Sequence, residues 1–242
     1  MTKYNFSVDG IPVAIYPLSE PEEVTKELLR ATDDVAIRVA LLSDSEVDFR
    51  IVCFDKNNTE PREPHIPLAA LSCFLSGVRG YPDMSLDVAY RGRIIKLTLD
   101  KTKGYNFSVN SEKCKKISTK TVDFLDGVLL TCDVISSPIP CAVLAVEDVL
   151  CFDDSRLSLL YSRLRDVGSH SLVIASLNGV LCAKTMGDVT PYEAVRTAVS
   201  LLSARGSVLP TGHIEATVNG SLIKFDHTRT GLAFYPEIKY IS

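Results

Sequence analysis

No stretch of this 242-residue chain approaches the roughly 18 consecutive apolar residues of a membrane-spanning helix. Its first residues, Met1-Thr2-Lys3-Tyr4-Asn5-Phe6, lack an apolar signal core. Basic charge is not in excess: 26 Lys and Arg against 30 Asp and Glu leave a net charge of −4, and the cations are scattered. These absences argue against a helical membrane protein and against a nucleic-acid binder, whose electrostatic footprint is missing. No Cys-x-x-Cys pair and no Cys/His cluster has zinc spacing, so no metal site is expected. The seven cysteines are odd in number, and several sit in apolar runs such as Val52-Cys53-Phe54 and Leu181-Cys182-Ala183. That is the pattern of buried free thiols in a reducing compartment, and the expected location is the cytoplasm.

What is present is a soluble globular composition, 46% hydrophobic and 23% charged, and a repeat. Ile11–Tyr16 matches Ile139–Leu144 at an offset of 128 residues. Pro64–Gly80 matches Thr190–Gly206 at 126, Asp87–Lys96 matches Glu215–Lys224 at 128, and Gly104–Phe107 matches Gly231–Phe234 at 127. Four matches in one order, with offsets agreeing within two residues, point to two copies of one unit. The polar stretch from Lys113 to Thr121 divides them, giving expected lobes of 1–116 and 117–242.

Each copy has readable local physics. Arg91-Gly92 and Asn219-Gly220 sit between period-2 strands, where a tight hairpin needs positive φ. Helix patterns run over Ser19–Leu29 and Asp153–Leu164. Ser19-Glu20-Pro21-Glu22 and Thr190-Pro191-Tyr192-Glu193 both read as capping boxes, a hydroxyl followed three residues later by Glu. Pro191 suits a first helical position, and Gly80 and Gly206 lie where a helix would stop. The fold class is α+β: two pseudo-symmetric lobes, each a mixed sheet wrapped around a central helix.

That order of elements resembles the diaminopimelate epimerase superfamily, which includes proline racemases and phenazine-biosynthesis isomerase-like proteins. Asp9–Ile15 resembles the family's opening strand, and Phe49–Asp55 the strand before its first catalytic loop. Pro64–Ala70 falls where that loop enters its helix. Ser137–Val143 resembles the family's Gly-Asn-Pro-His strand, and Gly187–Thr190 falls at the second loop. The resemblance implies cofactor-independent proton chemistry on a small carboxylate in an inter-lobe cleft, and a homodimer. Epimerases of this type use two thiols, from Cys-Gly-Asn-Gly and Cys-Gly-Thr-Gly loops. Here those loops read Pro64-His65-Ile66-Pro67 and Thr190-Pro191-Tyr192-Glu193, with neither cysteine nor glycine. Prolines 64, 67 and 191 remove N–H donors there.

His65 is the best remaining proton carrier, since phenazine-type relatives have Gly-His at this loop. Its bland reading is a loop histidine ahead of a helix. Glu193 is a candidate partner, against its structural task in the capping box; Asp188 is another, against a simple loop turn. Cys141 and Thr190 are candidate substrate contacts, although a lone cysteine in an apolar strand is usually packing. His170, His213 and His227 show no ligand spacing. Two functions follow: a non-catalytic homologue that binds a small molecule or a protein, which the lost thiols favour, and an isomerase using His65 with Glu193 or Asp188. A third is an interaction module whose cleft is filled by its own side chains.

Overall fold

The computed structural model describes residues 2–18, 35–61, 63–100, 107–109, 114–136, 140–206, 209, 211–228 and 231–241. The helix pattern and cap at Ser19–Leu29, most of Gly104–Phe107, and Ser137–Ile139 lie outside them.

Positive φ at both residues of Asp9-Gly10, Arg91-Gly92, Asp126-Gly127 and Asn219-Gly220 closes four tight hairpins. Gly supplies the second of these angles at no steric cost, and the right-handed strand twist demands both. The first sheet contains β1 (Tyr4–Val8), β2 (Ile11–Leu18), β3 (Ile37–Ser43), β4 (Phe49–Asp55), β5 (Met84–Tyr90) and β6 (Arg93–Leu99). Its order is β16-β1-β2-β3-β4-β5-β6, where β16 is Ile238–Ile241 near the end of the chain. Within it β2–β3 and β4–β5 pair parallel, and the other pairs are antiparallel.

The central helix α1 (His65–Cys73) contacts β1, β2, β6 and β16, and every one of its residues is buried. Such all-round burial explains why its sequence, His-Ile-Pro-Leu-Ala-Ala-Leu-Ser-Cys, is apolar on every side.

A short strand, β7 (Phe107–Val109), follows β6, and another, β15 (Leu232–Phe234), precedes β16. The second unit repeats the plan. Its strands are β8 (Lys116–Leu125), β9 (Val128–Ile135), β10 (Cys141–Ala145), β11 (Ser171–Asn178), β12 (Val180–Gly187), β13 (Gly212–Val218) and β14 (Ser221–His227). They lie in the order β14-β13-β12-β11-β10-β9-β8, with β10–β11 and β12–β13 parallel. The central helix here is α3 (Pro191–Ala204), which contacts β9 through β13. A further helix, α2 (Asp154–Asp166), starts where Asp153 accepts a hydrogen bond from Arg156 N–H. Its Leu157, Leu160 and Leu164 pack on Val122, Cys132, Leu144 and Ile174.

Two compact units result, Met1–Val109 with Ala233–Ser242, and Asn110–Leu232. The final ten residues, counted with the second lobe from sequence, therefore belong with the first. There β16 pairs with β1, the Tyr240 ring lies 5.3 Å from that of Phe6, and Asp9 accepts from Glu237 N–H at 2.8 Å. No helix among the described residues is long and apolar enough to cross a membrane.

Candidate functional site

The loop leading into α1 is held from several sides. Asp55 accepts from the N–H groups of Asn57 and Thr59, each at 2.8 Å, and the buried Arg38 donates to Asp55 O and Asn58 Oδ1. The β5–β6 hairpin clamps the rest of the loop. Tyr90, just before its turn, donates its phenol to the Pro61 carbonyl. Arg93, just after it, reaches Oε1 of Glu63 at 3.4 Å.

His65 is therefore not a loop residue but the first residue of α1, and it is buried. Its Nε2 lies 3.5 Å from Oε2 of Glu63, and its ring centroid is 6.3 Å from that of Phe234. Arg93, Glu63 and His65 form one chain of contacts, with the carboxylate in the middle. Nothing in the sequence singled out Glu63. It precedes Pro64, shares no repeat signature, and its partner Arg93 is thirty residues away. No side chain caps the start of α1, because Pro64 occupies the cap position. The carboxylate, imidazole and guanidinium can hold an anion or pass a proton.

The remaining candidates lie in the second unit. Thr190 and Glu193 are brought together in a complete capping box. Thr190 Oγ1 accepts from Glu193 N–H at 3.2 Å, and Glu193 Oε2 accepts from Thr190 N–H at 3.1 Å and from its hydroxyl at 3.2 Å. Pro191 occupies the first helical position, as its missing N–H permits. The buried Glu193 carboxylate thereby closes the cap of its own helix. Asp188 is exposed, and its backbone carbonyl accepts from the Ser171 hydroxyl at 3.4 Å.

Cys141 opens β10 and is buried. Burial pushes its thiol well above the usual range, and the charges of Glu193 and Cys132 push it further. Cys132 is raised to about 12, first by burial and then by Asp133, with Arg205 opposing. Cys53 is raised well above the ordinary value by burial and by Glu60. A thiol acts as nucleophile or base only as the thiolate, which burial disfavours at all three. None of the seven cysteines forms a disulfide. His213 Nδ1 sits 3.3 Å from Asp226 on the neighbouring strand, an exposed pair.

The chain matches no protein-family model, and no curated protein matches it either. Among solved structures it is similar to a phenazine biosynthesis protein of the PhzF family from Enterococcus faecalis, at 12% identity. The TM-score is 0.63, over 100% of this chain and 98% of that one. It is also similar to a protein described as a predicted epimerase from Pseudomonas aeruginosa (14% identity, TM-score 0.65, 100% and 98% covered). A hydroxyproline epimerase from Agrobacterium vitis, solved with bound trans-4-hydroxy-L-proline, matches at 10% identity and a TM-score of 0.59, over 99% and 91%. These likenesses establish the fold: it is the two-lobed diaminopimelate epimerase-like fold.

Proposed function

We propose that the chain is a cofactor-independent, isomerase-like protein that moves a proton on one face of a small carboxylate, with His65 as its acid/base group. The observation that carries this reading is the buried contact between Glu63 and Nε2 of His65. Inverting a stereocentre needs a proton-transfer group on each face, whereas a shift along one face needs one. Glu193 is held in its capping box and Cys141 is kept protonated by burial, so neither suits a second base. Among the second unit's candidates, Thr190 and Glu193 close a helix cap, Cys141 is buried and Asp188 is exposed, which leaves the proton to His65.

A carboxylate is favoured as the ligand because the positive end of the α1 dipole, which no side chain caps, suits an anion beside His65, although Pro64 and Pro67 leave few N–H donors there. Fold neighbours include an epimerase holding a cyclic amino acid, which is also a carboxylate. The matching order of parallel and antiparallel pairs in the two sheets supports an internal duplication. The buried free thiols favour the cytoplasm.

A second reading, a binding protein without catalysis, draws on the 2% exposure of the His65 side chain. Proton exchange in deuterated water, in wild type and His65→Gln, separates the two. His65-dependent deuterium incorporation supports the isomerase, and its absence over a broad panel of small carboxylates supports the binder.

A further inference from the structure

The far end of the central helix is built differently in the two units. In the second, Arg205 at the C-cap of α3 donates from Nη2 to Oδ2 of Asp133 at 3.0 Å, and Lys116 Nζ lies 2.6 Å from Oδ1. In the first, Arg79 takes the place of Arg205, since Pro64–Gly80 matches Thr190–Gly206. The acid is missing. Asp133 faces Val143 across β9–β10, and Tyr4 faces Ile15 across β1–β2. Ile15 matches Val143 in the repeat, so Tyr4 stands where Asp133 stands and contributes a ring instead of a carboxylate. That ring packs 4.9 Å from Phe74.

Arg79 makes no ion pair among the described residues; its guanidinium lies 5.4 Å over the Phe74 ring. Exposure does not account for this, because the Arg205 side chain is 43% exposed and still makes its pair. A cation at a helix C-terminus complements the helix dipole, but that holds for both arginines and does not distinguish them.

The helix also widens here. After Cys73 it passes into a π turn, Phe74–Val78, whose end is fixed by Arg79 N–H donating to Phe74 O and Tyr81 N–H donating to Leu75 O, each at 2.9 Å. The matching stretch of α3 stays α-helical to Ala204. Single π turns are rare and gather at functional sites. Beside this one lies a cavity of about 510 Å³, lined by Leu41, Ser43, Phe49, Leu75, Arg79 and Tyr81, with Phe74 beneath the guanidinium. Its size is that of small-ligand sites, roughly 300–1,000 Å³. The Phe49 and Tyr81 rings, 6.0 Å apart, give it aromatic walls. The helix and its π turn put roughly 20 Å between this cavity and His65.

We propose that this cavity binds a small monocarboxylate with an aromatic or branched apolar body, its carboxylate on Arg79. The ligand supplies the anion that Asp133 supplies from within the second unit. One cation calls for one carboxylate, and the Phe49 and Tyr81 rings offer contact to an aromatic or branched body.

The test uses the full chain, isotope-labelled, titrated with 3-phenylpropionate and separately with the neutral 3-phenylpropanamide, with affinities from calorimetry and amide shifts. Saturable carboxylate binding is expected, with shifts centred on residues 41–49 and 74–81. Affinity should be about tenfold or more weaker for the amide and for Arg79→Gln. Tyr4→Asp, which installs the second unit's acid, should weaken binding to a similar degree. That variant also loses a ring contact with Phe74, so Arg79→Gln, at an exposed position, decides the matter should Tyr4→Asp not fold. Arg205→Gln should leave affinity unchanged. Equal binding of amide and carboxylate, undiminished binding by Arg79→Gln, or no saturable binding below roughly 10 mM would each overturn the proposal. So would binding that is lost in His65→Gln and kept in Arg79→Gln.

Discussion

Oε2 of Glu63 lies 3.5 Å from Nε2 of His65, and the two side chains are 4% and 2% exposed. Arg93, 41% exposed, meets the other carboxylate oxygen, so the chain of contacts runs from the solvent-facing side to the buried imidazole. Glu63→Gln removes the charge and keeps the shape. We expect it to cost about 1–3 kcal/mol, the usual worth of a hydrogen bond to a charged group. Calorimetry should show a fall in Tm of roughly 2–12 °C for a chain of this size. An unchanged Tm would mean that the contact contributes nothing.

Asp133 joins β9 to the end of α3 and to β8 through Arg205 and Lys116. Burial alone would raise its carboxyl, but the hydrogen bonds and charges of Lys116 and Arg205 outweigh burial and hold it below its ordinary value of 3.8. A carboxylate lowered on folding stabilises the fold fully above its unfolded value and loses that contribution as pH falls through the folded one. Asp133→Asn should therefore cost about 1–2 kcal/mol at pH 6–7, discounted because both cations are about half exposed. The gap to wild type should close below about pH 4. Denaturant titrations across that range check the sign, and a gap that widens toward acid would contradict it.

The capping box assigns Thr190 and Glu193 to structure. Thr190→Ala should destabilise by about 1 kcal/mol, and Glu193→Gln by less, because an amide still accepts at the helix start. Neither should abolish proton exchange. A Glu193→Gln chain that keeps its Tm and loses all exchange would return Glu193 to the chemistry.

Thiol accessibility gives a direct reading of the second unit. Cys151 is exposed, whereas Cys53, Cys132 and Cys141 are buried with raised thiols. Alkylation at pH 7.5 followed by peptide mass spectrometry should mark Cys151 quickly. The other three should react only on unfolding, and rapid labelling of Cys141 in the native chain would show a reactive thiol there.

Much of the fold was legible because its signals are local. The positive-φ hairpin at Asn219-Gly220, the Thr190–Glu193 box and the apolar run of α3 are each written within a few neighbouring residues. The repeat then gave the order of elements. Long-range pairings were not legible. β16 adds to β1 across more than two hundred residues, and nothing local in the last segment announces that pairing. Glu63 was missed for the same reason: only the β5–β6 hairpin brings Arg93 beside it, and only the start of α1 brings His65. Prolines at 64 and 67 look like loop chemistry, yet His65 opens α1. Proline is tolerated there because a first helical turn has no N–H partners to lose.

The most direct test of the account is stereospecific proton exchange. The full chain and His65→Gln would be incubated in deuterated water with unsaturated carboxylates and with amino acids, and followed by NMR. Deuterium should enter an unsaturated carboxylate on one face only and be lost in His65→Gln, while amino acids keep both α-proton and configuration. An amino acid recovered deuterated at the α-carbon with inverted configuration, or exchange that persists undiminished without His65, would contradict it.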